Sequence, residues 1–306
     1  MTDTFTPYYY PLRPPTADYP EVFNKYGERM EFFFISDREF AHAPNDTISR
    51  YIIWDRYNFG NDTHFYTHDE IFHTVGNPKR KFAMMIEPRS ILNQSYEKLL
   101  KHKDYVEKNF EMLFTFDSQI LNTFSNAQFV PFAANVWYKI TAQDTYRRKT
   151  KNISMVSSDK DFCVMHVLRK SLALECKKKS LCDTFGTFDG GSYIEIGAAL
   201  EDYRYSIVVE NFVQPLYFTE KIMNCFAAQT IPIYLGATQI DKFFNADGII
   251  QIGFEDCEHI ENILKRCTVE EYERRLPAVL DNFQRALRAT TQTRYDDMYV
   301  NYIRGK

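Results

Sequence analysis

Tyr205-Ser206-Ile207-Val208-Val209-Glu210-Asn211, then Thr219-Glu220-Lys221, then Ile231-Pro232-Ile233-Tyr234-Leu235-Gly236 form the stretch on which the fold turns. The first run is apolar and β-branched, and it ends abruptly at a carboxylate and an amide. It reads as the buried strand Tyr205–Val209. Thr219 is a natural N-cap, so a helix is expected over 219–228. Ile231–Leu235 is a second buried strand, stopped by Gly236. A strand, a helix and a strand joined by short links form a βαβ unit, and such units build parallel sheets.

Working outward, the same alternation continues on both sides. Upstream, the sequence predicts a strand over 153–156, a helix over 164–176 and a strand over 181–185. Downstream it predicts a short helix over 240–244, a strand over 249–252, and helices over 257–265 and 269–288. Residues 22–138 carry a second α/β pattern. Its strands are expected over 31–36, 51–54, 82–86 and 112–116, with a helix over 95–108. A linker is expected near 139–152 and an extended Pro/Tyr arm over 1–20. The expected fold is therefore α/β, with two Rossmann-type domains facing across a cleft. The division is 1–150 and 151–306, the C-terminal helix being free to pack back on the first domain.

Bulk properties narrow the function classes. A hydrophobic share of 44% over 306 residues suffices for substantial cores. A net charge of −4 argues against a nucleic-acid partner, which needs a basic surface. The basic run Tyr146-Arg147-Arg148-Lys149-Thr150-Lys151 reads as a solvated loop between domains. The six cysteines form no CxxC pair, so free buried thiols are expected. No segment has the pattern of a signal peptide or an integral membrane span. A cytoplasmic location, at most peripheral to a membrane, is expected.

Ligands of open parallel sheets bind at the carboxyl ends of the strands. Glu210 and Asn211 stand at such an end, and Thr219, Glu220 and Lys221 open the next helix. Exposed amides, the helix dipole and the Lys221 charge together suit an anion such as a diphosphate. A plainly capped helix with surface charges is the other reading, and the residues alone leave both open.

The spacing Glu210-Asn211, seven residues, Thr219-Glu220-Lys221, a helix, then Ile231-Pro232-Ile233-x-x-Gly236 resembles the donor domain of glycosyltransferase family 10, the α-1,3/1,4-fucosyltransferases. Phe243-Phe244-Asn245 follows near the family's short F-x-P segment. The likeness covers roughly residues 150–255. It implies an inverting transferase that moves fucose from GDP-fucose, or a related GDP-sugar, to a hydroxyl of an oligosaccharide acceptor. No cofactor or metal is implied, the GDP-sugar being a co-substrate. Lys221 resembles the family's donor-phosphate lysine and Glu220 its neighbouring nucleotide-sugar contact. Asn211 and Tyr217 fall at donor-contact positions. Arg169 matches an arginine that neutralises the leaving diphosphate, for which a guanidinium fork is well suited. Ser192, after Gly190-Gly191, lies in a loop similar to one near the family's nucleotide. The alternatives are another nucleotide-sugar donor on the same scaffold, or a non-catalytic relative that binds glycan or nucleotide.

Inverting transfer needs a base for the acceptor hydroxyl. Glu87, ending the apolar run 82–86 ahead of Pro88, is the candidate. Phe116-Asp117 echoes the family further on. Two metal readings are set aside. Asp159-Lys160-Asp161 has the D-x-D form of metal-dependent transferases but falls in a polar loop before Arg169. His64 and His68 are spaced as zinc ligands on a helix, yet their neighbourhood lacks helical periodicity, so packing or acceptor contact is expected.

Overall fold

The computed structural model describes residues 32–34, 52–54, 63–72, 79–140, 146–291 and 294–305. The predicted arm over 1–20, and residues 141–145 of the predicted linker, lie outside the described residues. The described chain divides into two units. One comprises residues 1–87, 92–129 and 299–306, and the other 88–91 and 130–298.

In the first unit β1 (Phe32–Phe34) and β2 (Ile52–Trp54) pair antiparallel. Four further strands, β3 (Thr63–Thr67), β4 (Arg80–Met85), β5 (Met112–Thr115) and β6 (Ala127–Phe129), form a wholly parallel sheet in that order. Phe65, Phe82 and Phe114 share one face and stack from strand to strand, with ring centroids 5.3 and 5.9 Å apart. Tyr299, from the helix Met298–Ile303, packs its ring 5.8 Å from both Phe65 and Phe114. The helix expected over 95–108 is two helices, Arg89–Lys101 and Lys103–Asn109. The break falls at His102, whose φ of −112° and ψ of 35° are not helical.

The second unit holds β7 (Lys151–Val156), β8 (Asp183–Phe185), β9 (Tyr203–Val209), β10 (Ile231–Leu235) and β11 (Ile250–Gln251). All are parallel, in the order β11-β10-β9-β7-β8. The order reverses between β7 and β9: the chain leaves β7 toward one edge, then crosses back to build toward the other. That reversal is the topological switch point, where the carboxyl ends of two strands open a crevice. The helices Val164–Lys178, Glu220–Ala227 and Val269–Thr291 cover the sheet. β9 and β10 are almost wholly buried, which explains their unbroken apolar sequence. Their buried tyrosines still find partners. The Tyr205 hydroxyl donates to the Thr268 carbonyl at 2.8 Å, and that of Tyr203 to Asp183 at 2.7 Å.

One expectation fails outright. Lys149, read as part of a solvated basic loop, is only 2% exposed. Its ammonium donates to the carbonyls of Leu200, Glu201 and Ala228 and to the Thr230 hydroxyl, at 2.5–3.2 Å. Turn carbonyls at two chain reversals meet there, and a buried cation satisfies them together. All six cysteines are free, as expected, and all but Cys182 are buried. Among the described residues no helix is long and apolar enough to cross a membrane.

Candidate active site

The switch point of the second unit gathers the polar groups. Glu210 follows β9, is fully buried, and continues the sheet through its amide to the Leu235 carbonyl at 2.8 Å. Its carboxylate reaches across to the start of the helix Glu220–Ala227. Oε1 accepts the Thr219 amide at 2.9 Å, and Oε2 accepts the Thr219 hydroxyl at 2.7 Å. The Tyr234 hydroxyl lies 3.5 Å from Oε1. Burial raises the Glu210 carboxyl above its ordinary value, and Lys221, with Nζ 3.6 Å from Oε2, opposes the rise.

Lys221 is part-buried and bent back over this group. Its Nζ donates to Thr219 Oγ1 at 3.1 Å and to Glu220 Oε1 at 3.0 Å. The helix start is not the row of exposed amides that the sequence suggested. The Thr219 amide is held by Glu210, and the Glu220 amide donates to the Ala133 carbonyl at 2.7 Å. The Lys221 amide turns to Thr219 Oγ1 at 3.4 Å. An anion at this end is therefore met by side chains more than by main-chain amides.

Arg169 stands on the helix that follows β7 and is 8% exposed. Nε donates to the Val209 carbonyl at 2.9 Å and Nη2 to Asn211 Oδ1 at 2.7 Å. Burial lowers the guanidinium from its ordinary value, with Glu210 and Glu220 working against that. A guanidinium nonetheless stays charged in a protein. Among the described residues no carboxylate lies within ion-pairing distance of it. The site thus keeps a buried positive charge beside the carboxyl ends of β7 and β9. His166, three residues earlier, shares that helix face. Burial, then Arg169 and Lys221, lower its imidazole from the ordinary value.

Arg169, Asn211, Glu220 and Lys221 are thus brought together with Glu210 and Thr219. Tyr217 is buried in the loop between them, at 3% exposure. Ser192 is exposed beyond β8 and makes no hydrogen bond to this group among the described residues. His166, Tyr234 and Gly236 were not marked by the sequence as parts of the site. The i, i+3 spacing of His166 and Arg169 was the available signal. For Gly236 the reason is steric: a Cβ there would lie 2.3 Å from the Tyr234 hydroxyl and 2.6 Å from Glu210 Cγ.

Glu87 belongs to the first unit, two residues past the end of β4, and is exposed. The amides of Ile86 and Glu87 both donate to His68 Nε2, at 3.2 and 3.1 Å. The Tyr96 hydroxyl donates to the Glu87 carbonyl at 2.8 Å. Asp117, the other residue marked nearby, caps the helix Ser118–Thr123, its Oδ1 accepting the Ile120 amide at 3.0 Å. Asp159 accepts the Thr187 hydroxyl at 2.8 Å. The side chain of His64 lies outside the described residues. Among the described residues no three His, Cys, Asp or Glu side chains group as a metal-holding set.

Two parallel α/β units, one with a cationic cluster at its switch point, define the GT-B-like class of glycosyltransferase folds. Residues 146–274 match the model of "Glycosyltransferase family 10 (fucosyltransferase) C-term". A 95-residue stretch is 34% identical to a curated protein of Acanthamoeba polyphaga mimivirus whose name assigns it provisionally to the fucosyltransferases. The match covers 29% of this chain, and 16% of that protein's length. Among solved structures, Anabaena Alr3699/HepE in complex with UDP and glucose superposes with a TM-score of 0.55 at 9% identity, over 80% of this chain and 78% of that one. An α1,3-fucosyltransferase with GDP covers 91% of this chain and 89% of its own, at 16% identity and a TM-score of 0.46.

Proposed function

We propose that the chain transfers fucose from GDP-fucose to a hydroxyl of an oligosaccharide acceptor, with inversion and without a metal. The reading assigns donor binding to residues 151–306 and acceptor binding to residues 1–150. Arg169 and Lys221 take up the charge of the departing diphosphate as the bond from sugar C1 to its oxygen breaks. Lys221 reaches it by releasing Thr219 and Glu220, a short swing for a four-carbon stem. Asn211, Tyr217 and Glu220 hold the nucleotide and sugar, Ser192 contributing from its loop. The acceptor oxygen bonds to C1 while Glu87 removes its proton.

The observation that supports this reading best is the buried guanidinium of Arg169 at the switch point, fixed by Val209 and Asn211 and in no direct ion pair among the described residues. A buried charge is costly unless something compensates it, and a bound diphosphate would. Calorimetric titration with GDP and GDP-fucose, against UDP and UDP-glucose, tests donor choice. Preference for the uridine nucleotides would overturn the donor assignment. Release of GDP in the presence of an acceptor panel tests transfer, and Glu87→Gln should abolish it with GDP affinity intact.

A further inference from the structure

We propose that His68 and Tyr96 are positioning residues that fix the main chain carrying Glu87. The proposal rests on the reading of Glu87 as the base.

β3 and β4 run side by side, with Thr67 opposite Met84. Immediately past this register β3 ends at His68, which takes a left-handed φ of 48°. A non-glycine residue in that conformation stores strain that the surroundings must hold in place. The turn lays the imidazole across the end of β4. There the amides of Ile86 and Glu87 have passed the last ladder pair and need a new acceptor. One nitrogen, Nε2, takes both. It therefore carries a lone pair and no proton, and the ring is neutral with its hydrogen on Nδ1. Burial favours that state, lowering His68 to about 4.

Tyr96 completes the clamp from the helix Arg89–Lys101. Its fully buried ring sends the hydroxyl to the Glu87 carbonyl. Both main-chain polar groups of Glu87 are thus held by side chains that are themselves buried, while its carboxyl side is exposed. The chemistry suits a base. A neutral imidazole holds the backbone without placing a positive charge beside it, and an imidazolium there would make the carboxylate a weaker base. A base also needs tight placement, since a displacement of about 1 Å costs on the order of a hundredfold in rate.

The test compares His68→Gln, whose Oε1 can accept both amides, with His68→Phe, which cannot. His68→Phe should lower kcat at least tenfold with KM for the donor and GDP affinity unchanged. His68→Gln should recover most of it. Tyr96→Phe, which removes only the hydroxyl, should lower kcat several-fold and guards against misfolding of the His68→Phe protein. Hydrogen exchange of the Ile86 and Glu87 amides supplies a readout independent of catalysis, and His68→Phe should speed it at least tenfold. Full kcat in His68→Phe and Tyr96→Phe, with Glu87→Gln inactive, overturns the positioning role and leaves the base standing. An active Glu87→Gln enzyme overturns the base, and fast exchange in His68→Phe would then show the clamp alone. Unchanged exchange overturns the clamp itself.

Discussion

Arg169 and Asn211 are joined by a 2.7 Å hydrogen bond from Nη2 to Oδ1, and this bond spans the switch point of the second sheet. Arg169 comes from the helix after β7, and Asn211 from the loop after β9. The bond, with that of Nε to the Val209 carbonyl, aims the guanidinium along the strand ends.

Arg169→Lys keeps the charge and loses the fork. A lysine cannot hold Val209 and Asn211 together and also face a diphosphate. A charge-assisted hydrogen bond contributes about 1.5–3 kcal/mol, so GDP affinity should fall about ten- to a hundredfold by calorimetry. Affinity equal to that of the unchanged protein would remove Arg169 from the donor site.

Lys221 has two roles that can be separated. It neutralises the buried Glu210 carboxylate, and in the proposed reaction it meets the diphosphate. Lys221→Met should destabilise the protein by about 2 kcal/mol, since it strands a buried charge. Adding Glu210→Gln removes the stranded charge and should restore most of that stability. It should not restore GDP affinity. Thermal melts and calorimetry on the single and double variants read the two effects apart. Restored affinity in the double variant would make Lys221 purely structural.

Much of this was legible in the sequence. β9, β10 and the helix between them were readable because buried parallel strands leave continuous apolar runs, and Thr219 marks the helix start. Asn211, Glu220 and Lys221 were readable as neighbours because one βαβ unit carries all three to the sheet edge, whereas Arg169, on the helix after β7, stood out only through the resemblance to the transferase family. What stayed hidden depends on contacts between residues far apart in the chain. Ala133 occupies the Glu220 amide from 87 residues upstream, which no local pattern reveals. Lys149 looks solvated among its charged neighbours, and only the meeting of Leu200, Glu201 and Ala228 makes it a core residue. His68 looked like half of a metal motif until the turn that ends β3 set it against β4. β3 and β6 were missed, β3 because its Thr63-His64-Phe65-Tyr66-Thr67 sequence lacks an apolar run.

Lys149 should be a stability determinant with no part in donor recognition. Lys149→Met fills similar space but takes the ammonium from the Glu201 and Ala228 carbonyls, while the Leu200 carbonyl keeps the Thr230 hydroxyl. Stranding buried acceptors costs about 1–3 kcal/mol each before relaxation, so a loss of about 3 kcal/mol is expected. Chemical denaturation measures it. GDP affinity, taken well below the melting temperature, should be unchanged. A loss under about 0.5 kcal/mol would mean that the cage is dispensable, as for an ordinary surface substitution.

The His68 anchor also makes a pH dependence with a defined sign. Its folded-state value, about 4, lies below the ordinary 6.5, because burial disfavours the charged ring more than Asp69 supports it. A base lowered by folding is protonated first in the unfolded chain. Its contribution to stability is therefore full above about pH 6.5, falls as pH drops toward 4, and levels off below. The slope within that window is about 1.4 kcal/mol per pH unit. The chain has seven histidines, so the signal is the difference from His68→Gln, which cannot titrate. Between pH 7 and pH 5 the unchanged protein should lose about 2 kcal/mol relative to that variant by urea denaturation. A constant difference over this range would mean that the imidazole is not held neutral at the end of β4.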